Sequence, residues 1–188
     1  SFTRDELRFD VIDDKGSKAS ALMSLLEKLD QKWNFFQAKG KNARAGIVFT
    51  NAVNGPNGCF PLANSIASKF QQKVGFFSGS KPKEHSVSDI EFNEGKQETQ
   101  RRFKENELSL IVATKAFGMG VNKGNVSFTA HYGIPGSLES LYQEAGRAGR
   151  QKELFQGNKA DCYILITPER ANGQLQELWR DDISVNEI

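Results

Sequence analysis

The sequence predicts an α/β fold in which helices cover both faces of a mainly parallel central sheet. Two short apolar runs, at 45–50 and 108–113, are typical of strands buried on both faces. Segments with apolar residues at helical spacing alternate with strand-like runs, which is the order expected of parallel strands joined by right-handed crossovers. The chain has 188 residues, enough for one domain with a substantial core.

The first part of the chain predicts a strand, a helix and a second strand. Apolar and charged residues alternate over 7–11, which predicts a short half-exposed strand. An apolar stripe at helical spacing predicts a helix that begins after Ser17, a suitable N-cap residue, and ends at Gly40. The buried strand at 45–50 follows, and the Gly-, Pro- and Asn-rich residues 51–58 predict a loop after it.

The middle of the chain continues the same alternation. Residues 62–70 have helical periodicity, and the apolar residues 74–77 predict a strand. Residues 78–95 are polar and charged without an apolar period, so we expect a long surface loop there. A further helix is predicted over 97–106, just before the buried strand at 108–113.

The last third predicts two more strands and two more helices. The strands are expected at 126–132 and 161–166, with a helix between them over 137–148. Thr167 and Pro168 have the N-cap and first-turn chemistry of another helix start. The apolar face of that last helix would consist of Leu175, Leu178 and Trp179.

Composition limits the classes of function. With 25 Lys and Arg against 23 Asp and Glu, the net charge is only +2, so any nucleic-acid binding must come from local patches. The two cysteines, Cys59 and Cys162, form no CxxC pair, which excludes a conventional zinc site and a disulfide framework. No apolar run approaches the roughly 18 residues of a membrane span. We therefore expect a cytoplasmic protein with no membrane partner and no zinc.

A glycine-containing loop follows the strand at 108–113 and is the first candidate site. Ligands of parallel α/β sheets bind beyond the carboxyl ends of the strands, and the loops after Thr50 and after Ala113 both begin at such ends. Residues 114–123 offer one hydroxyl, two glycines, an amide and two lysines, groups suited to phosphate and sugar. The alternative is an ordinary connection with turn glycines, because short glycine patterns are weak signals.

A glutamine and two arginines form the second candidate site. On a helix that begins at Ser137, the side chains of Gln143, Arg147 and Arg150 are at i, i+4 and i+7 and are expected to share one face. Gly146 and Gly149 weaken that helix, which makes sense if something approaches the backbone closely. The alternative is a solvated basic helix end that complements the helix dipole. The apolar stripe of the same helix is predicted to be Leu138, Leu141, Tyr142 and Ala145.

Other charged and titratable residues are expected to have structural roles. His85 is in the polar loop and should be solvent-exposed, whereas His131 ends an apolar strand and should be a packed or hydrogen-bonded histidine. Basic and acidic residues are interleaved over 96–107, which favours a solvated helix face over a nucleic-acid patch.

Two segments resemble conserved motifs of superfamily 2 helicases in their RecQ-family form. Residues 113–123, ATKAFGMGVNK, resemble motif V, and residues 142–150, YQEAGRAGR, resemble motif VI. Residues 45–51 are similar to motif IV, and residues 1–7 resemble the stretch that joins the two motor domains. The resemblance extends from residue 1 to about residue 168. It implies a RecA-like three-layer sandwich that forms the second motor domain of an ATP-dependent DNA helicase.

The chain also departs from the family pattern. Residues 76–80 differ from the family's Tyr-His-Ala-Gly-Leu-like stretch, Gln151 and Lys152 replace a common Asp-Gly, and the four-cysteine zinc module is absent. No GxxxxGK[ST] motif or acidic Mg²⁺-binding box occurs, and both belong to the first motor domain. Because the chain begins at Ser1 without an initiator methionine, we expect a fragment that is inactive on its own and binds ATP weakly at best.

The resemblance implies a role for each candidate residue. ATP with Mg²⁺ would be held mainly by a first RecA-like domain in cis, with Arg147 and Arg150 against the γ-phosphate and Gln143 helping to position it. On the nucleotide side, the implied contacts are Gly118, Gly120, Asn122 and Gly146. Contacts to single-stranded or duplex DNA would come from Thr114, Lys115, Thr50, Asn51 and Gly79.

The same resemblance divides the chain into three segments. Residues 1–12 would be an interdomain linker with the first strand, 13–168 the RecA-like domain, and 169–188 a C-terminal helix and tail. Translocation would run from 3′ to 5′. Two alternatives stay open: the motor half of an RNA helicase or duplex translocase, whose phosphate contacts read sugar identity poorly, or a non-catalytic module that binds nucleic acid or protein.

Overall fold

A single parallel sheet forms the centre of the protein in the computed structural model, which describes residues 4–118 and 121–167. Its six strands are β1 (Leu7–Asp13), β2 (Ala45–Phe49), β3 (Gly75–Phe77), β4 (Leu110–Ala113), β5 (Val126–His131) and β6 (Ala160–Ile166). Their order is β1-β6-β5-β2-β4-β3, and every neighbouring pair is parallel. The predicted parallel sheet is confirmed.

Helices cover both faces of this sheet and complete the predicted three layers. The α-helices of the described residues are α1 (Lys18–Trp33), α2 (Cys59–Phe70), α3 (Asp89–Lys104) and α4 (Leu138–Ala145). Leucines of α1 and α2 pack with Val48 in one core cluster. Phe103 of α3 and Ala145 of α4 pack with Ile47 and Phe49 in the other. Successive side chains of β2 point to opposite faces, so this strand contributes to both cores.

The first helix is shorter than the sequence predicts. It ends at Trp33 because Asn34 adopts a left-handed conformation, with φ 48°, and donates its backbone N–H to the carbonyl of Asp30 at 2.6 Å. Asparagine adopts this conformation more readily than most residues, so it ends helices well. Phe36 lies outside the helix but is still buried. The predicted helix end at Gly40 is therefore wrong.

The third helix begins earlier than predicted, within the segment expected to be a loop. The Ser88 hydroxyl accepts the backbone N–H of Glu91 at 3.2 Å, and the Glu91 carboxylate accepts the N–H of Ser88 at 2.8 Å. This reciprocal capping box starts the helix at Asp89, and Phe92 is buried in its first turn. The long loop therefore ends at Ser88, and the prediction that it continues to Gly95 is wrong.

The fourth helix is short and differs from its prediction in two ways. It ends at Ala145, three residues before the predicted end at Ala148. The expected apolar stripe is mostly uncovered, because Leu138 is 48% and Tyr142 44% exposed. Tyr142 packs edge-to-face against Phe9 of the edge strand β1, with ring centroids 5.8 Å apart.

Two further sequence predictions concern the periphery of the domain. The predicted helix with Leu175, Leu178 and Trp179 lies outside the described residues. His85, expected to be exposed, is half-buried and packs against Phe60, with ring centroids 4.6 Å apart. Among the described helices, none combines the length and hydropathy needed to cross a membrane.

Candidate functional site

The carboxyl ends of β2, β3 and β4 are adjacent and open into one groove of about 600 Å³. This groove is the first candidate site. The sequence predicted contacts in the loops after these strands because parallel sheets bind ligands at this edge. All five predicted nucleic-acid contacts line it, namely Thr50, Asn51, Gly79, Thr114 and Lys115.

Backbone hydrogen bonds fix the two threonines at the edge of the groove. Thr50 donates its N–H to Ala113 at 2.9 Å, and Thr114 donates its N–H to Phe77 at 3.0 Å, so both continue the sheet ladder. The Thr50 hydroxyl donates to the carbonyl of Asn57 at 2.7 Å and is therefore used within its own loop. The Thr114 hydroxyl forms no hydrogen bond within the described residues, which leaves it available to a ligand.

Three polar neutral side chains, those of Asn51, Ser80 and Ser140, contribute to the remaining groove wall. The Asn51 amide donates to the carbonyl of Ile134 at 2.8 Å and joins the loops that follow β2 and β5. Lys115 is exposed and is the only lysine or arginine among the described lining residues. The groove can therefore contact a polyanion through hydroxyls, amides and backbone N–H groups, with one flexible cation.

One groove residue, Glu144, was not expected there. It is 8% exposed, and its carboxylate lies 3.0 Å from Nδ1 of His131, which is itself 1% exposed. His131 stacks on Phe49, so its prediction as a packed, hydrogen-bonded histidine is confirmed. The helical spacing of Ser140 and Glu144, which both line the groove, was the available sequence signal.

The second candidate site is the arginine turn, which we define as residues 146–150 after α4. Arg147 donates from Nη1 to the carbonyl of Val121 at 3.3 Å. Arg150 donates from Nη1 to Oδ1 of Asn122 at 2.8 Å and from Nε to the carbonyl of Gly146 at 3.2 Å. The structure therefore brings together four of the residues predicted to contact the nucleotide, which are Asn122, Gly146, Arg147 and Arg150.

Within residues 4–118 and 121–167, both guanidiniums of the arginine turn lack a carboxylate partner. Among the residues that the structure describes, no Asp or Glu forms an ion pair with Arg147 or Arg150. The Nε of Arg147 is buried without a hydrogen-bond partner there. Burial, and secondly the charge of Arg150, lower the pKa of Arg147 from its ordinary value. An anion bound here would offset the repulsion between the two arginines and stabilise the charged form of Arg147.

The helix predicted to carry Gln143, Arg147 and Arg150 on one face is shorter than expected. Because α4 ends at Ala145, the spacing of i, i+4 and i+7 does not extend to the arginines. The Gln143 amide is exposed and donates to Glu139 at 3.0 Å. Gly118 ends a short 3-10 helix, and Gly120 lies outside the described residues.

The glycines of the arginine turn lie close to another part of this chain, although the nearest atom to a Cβ on Gly146 is the carbonyl oxygen of Tyr142 at 2.8 Å. A Cβ on Gly146 would lie 2.9 Å from Nη1 of Arg4, and a Cβ on Gly149 would lie 3.2 Å from Cγ of Glu6. Gly149 also has φ +71°, a conformation that side chains disfavour. Something does approach this backbone closely, as the sequence predicted, but in this structure it is the segment before β1.

The combined sites have the chemistry of an anion-binding protein. Hydroxyls, the amide of Asn51, one lysine and the carboxylate of Glu144 line the groove, and the turn carries two guanidiniums with no carboxylate partner among the described residues. The described residues contain no group of three or more side chains suited to hold a metal ion. Residues 17–152 match the model of the helicase conserved C-terminal domain family. The chain belongs to this family.

Among the curated relatives of this helicase domain are RecQ helicases. The chain is 47% identical over 74 residues to the ATP-dependent DNA helicase RecQ of Bacillus subtilis, a match that covers 39% of this chain and 12% of that protein. It is 35% identical over 130 residues to a putative ATP-dependent RNA helicase of Acanthamoeba polyphaga mimivirus, covering 62% and 22% respectively. The predicted RecQ-family resemblance is confirmed.

A solved structure supports the fold. Domain 2 of the DEAD-box helicase Mss116p, bound to an RNA duplex, aligns with a TM-score of 0.60 at 18% identity. The alignment covers 86% of this chain and 54% of that one. The predicted RecA-like sandwich is confirmed. The chain spans only a small part of the curated helicases that it matches.

Proposed function

We propose that this domain is the second motor domain of a RecQ-like ATP-dependent DNA helicase. It would act in cis with a first motor domain that holds ATP and Mg²⁺. One observation supports this proposal most strongly: Arg147 and Arg150 are held together by neutral oxygen acceptors, with no carboxylate partner in the described part of the chain. Their positive charges therefore stay available for a phosphate.

Such arginines act on the γ-phosphate when the two motor domains close. A planar guanidinium can donate two parallel hydrogen bonds to phosphate oxygens and stabilise the charge that develops during phosphoryl transfer. In GTPases an arginine supplied this way raises turnover by roughly 10³ to 10⁵. The carbonyl of Val121 and the amide of Asn122 orient Arg147 and Arg150 without neutralising them.

The groove supplies the contacts to the nucleic-acid strand. Phosphate and sugar contacts come mainly from hydroxyls, amides, backbone N–H groups and basic side chains, and the groove is lined by such groups. Helix α4 connects the two sites, because Glu144 lines the groove and the arginine turn begins two residues later. Closure of the two motor domains over ATP would thus change the contacts between the groove and the nucleic-acid strand. The 3′ to 5′ direction is supported by the family resemblance only.

The test is DNA-stimulated ATPase activity of the full-length protein. We expect Arg150→Ala to lower the turnover number by about a hundredfold or more, because the transition-state charge loses a partner. Arg101→Ala is the matched control, since the ion pairs of Arg101 are with surface carboxylates of α3 and the residues just after it, and should stay within about twofold of wild type. Equal activities for the two variants would refute the role of the turn.

RNA is the alternative nucleic-acid ligand of the groove, because one relative is named as a putative RNA helicase. A groove of hydroxyls and amides contacts the phosphate backbone, which DNA and RNA share. The same ATPase assay decides between them when single-stranded DNA, duplex DNA and RNA of one sequence are compared. We expect the strongest stimulation by single-stranded DNA, and strongest stimulation by RNA would favour the alternative.

A further inference from the structure

The segment before β1 packs directly on the arginine turn. Arg4 donates from Nη2 to the carbonyl of Gly146 at 3.5 Å, a long contact, and its Nε pairs with the carboxylate of Glu6. The carbonyl of Glu6 accepts the N–H of Ala160 at 2.9 Å, which fixes the segment to β6. We call residues 4–6 the strut. It bridges the sheet edge and the turn, although these are more than 140 residues apart in sequence.

The strut lies close to both glycines of the turn. The positions where Gly146 and Gly149 would bear a Cβ lie 2.9 Å from Nη1 of Arg4 and 3.2 Å from Cγ of Glu6. The N–H of Gly149 is also bound, to the carbonyl of Val126 at 3.0 Å. The turn is thus confined between the strut on one side and β5 on the other.

Arg4 and Arg150 share one acceptor. The carbonyl oxygen of Gly146 accepts from Nη2 of Arg4 at 3.5 Å and from Nε of Arg150 at 3.2 Å. A carbonyl oxygen has two lone pairs, so both donors can be accommodated. The carbonyl of Gly146 thus joins Arg4 to Arg150, and Arg150 is held in addition by its 2.8 Å bond to Asn122.

We propose that Arg4 is a positioning residue that orients Arg150 through the carbonyl of Gly146. This proposal rests on the proposed function, because it concerns the arginine that would reach the phosphate. Arg4 belongs to the segment that leads into β1. Any displacement of that segment is then transmitted to the arginine turn, which couples movement at the start of the domain to the phosphate-contacting group.

Arg8 provides a matched control on the same stretch of chain. It pairs with the fully buried carboxylate of Asp161 at 2.6 Å and donates to the hydroxyl of Tyr163 at 3.3 Å. Arg8→Ala therefore removes an equally charged side chain that stabilises the same edge of the sheet. Asp161 keeps its contacts with Lys32 at 2.6 Å and with Trp33 at 3.0 Å, so we expect this variant to fold, which its thermal unfolding checks.

The first experiment measures ATPase turnover in the full-length protein. We expect Arg4→Ala to lower the turnover number by about tenfold with little change in the KM for ATP, because a displaced catalytic group affects the chemical step. Arg8→Ala should stay within about twofold. In an Arg150→Ala background, Arg4→Ala should have no further effect. An equal loss in both backgrounds, or a loss matched by Arg8→Ala, would overturn the proposal.

A conservative variant separates position from charge. Arg4→Lys keeps the positive charge but loses the planar fork that reaches Glu6 and Gly146 together. We expect it to stay impaired. Full recovery of turnover in Arg4→Lys would mean that charge alone is required, and would overturn the positioning role.

The second experiment observes Arg150 directly and does not depend on catalysis. In the 188-residue chain with isotope-labelled arginine, the Nε–H resonance of Arg150 reports its bond to Gly146. Arg4→Ala should shift this resonance and accelerate its exchange with solvent, whereas Arg8→Ala should leave it unchanged. An unchanged resonance in Arg4→Ala would overturn the proposal that Arg4 orients Arg150. A normal ATPase rate in Arg150→Ala would instead refute the proposed function, so the two failures are distinguishable.

Discussion

Two groups of cations in this domain differ in what surrounds them. At the end of α3, Arg101 contacts three carboxylates, those of Glu98, Glu105 and Glu107, and these hydrogen bonds raise its pKa above the ordinary value. In the arginine turn, Arg147 contacts only a carbonyl, and burial lowers its pKa. One guanidinium is electrostatically satisfied, and the other is not.

Lys123, close to the turn, follows the pattern of Arg147. Its amine contacts the side-chain oxygen of Asn106 and the carbonyl of Lys104, and it lies 5.1 Å from the ring centre of Phe103. Burial lowers the pKa of Lys123 to about 8. The two regions both carry positive side chains, but only those at the end of α3 have carboxylate partners among the described residues. The number of basic residues therefore does not indicate which region can bind an anion.

The largest expected effect comes from replacing an arginine by lysine in the arginine turn, compared with the same replacement at the end of α3. Arg147→Lys keeps the charge but removes the planar fork, so we expect ATPase turnover of the full-length protein to fall by at least about a hundredfold. Arg101→Lys should change it by less than about twofold, because lysine can still pair with exposed carboxylates. If Arg147→Lys retained wild-type turnover, the two regions would not differ in function.

A smaller effect is expected on stability as a function of pH. The pKa of Lys123 is about 8 in the folded protein and 10.5 ordinarily, so between these values the unfolded chain binds more protons and stability rises with pH. We expect the free energy of unfolding to gain about 1 to 2 kcal/mol between pH 7.5 and 10 from this group. Urea unfolding at several pH values measures it.

Lys123→Met should remove this gain. The side-chain oxygen of Asn106 keeps its bond to the Asn125 amide at 2.8 Å, so this acceptor stays paired when the amine is removed. Lys69→Met, at a lysine whose side chain is 52% exposed, is the control and should keep the wild-type pH dependence. Parallel curves for wild type and Lys123→Met would show that Lys123 is not desolvated as the structure indicates.

The sequence predicted the strands well and the helix ends poorly. Strands such as Ala45–Phe49 and Leu110–Ala113 are continuous apolar runs, and a sheet covered on both faces requires that pattern. Helix ends depend on single residues instead. The left-handed Asn34 and the capping box of Ser88 decided two of them, and neither changes the hydrophobic period.

The groove was also predictable, whereas the arginine turn was predictable only in composition. Thr50 and Thr114 follow strands directly, and the carboxyl-end rule places them side by side. The face assigned to Gln143 and the arginines assumed a continuing helix. Gly146 and Gly149 instead form a turn against the strut, a tertiary contact between distant segments that no local periodicity encodes.

The most direct test of the central claim is a structure of the full-length protein with single-stranded DNA, ADP and aluminium fluoride, which mimics the transferring phosphate. We expect a guanidinium nitrogen of Arg147 or Arg150 at about 3 Å from a fluoride, and a DNA phosphate in the groove beside Thr114. If Arg147 and Arg150 stayed on Val121 and Asn122, away from the fluoride, in the closed complex, the arginine turn would not be a phosphate site.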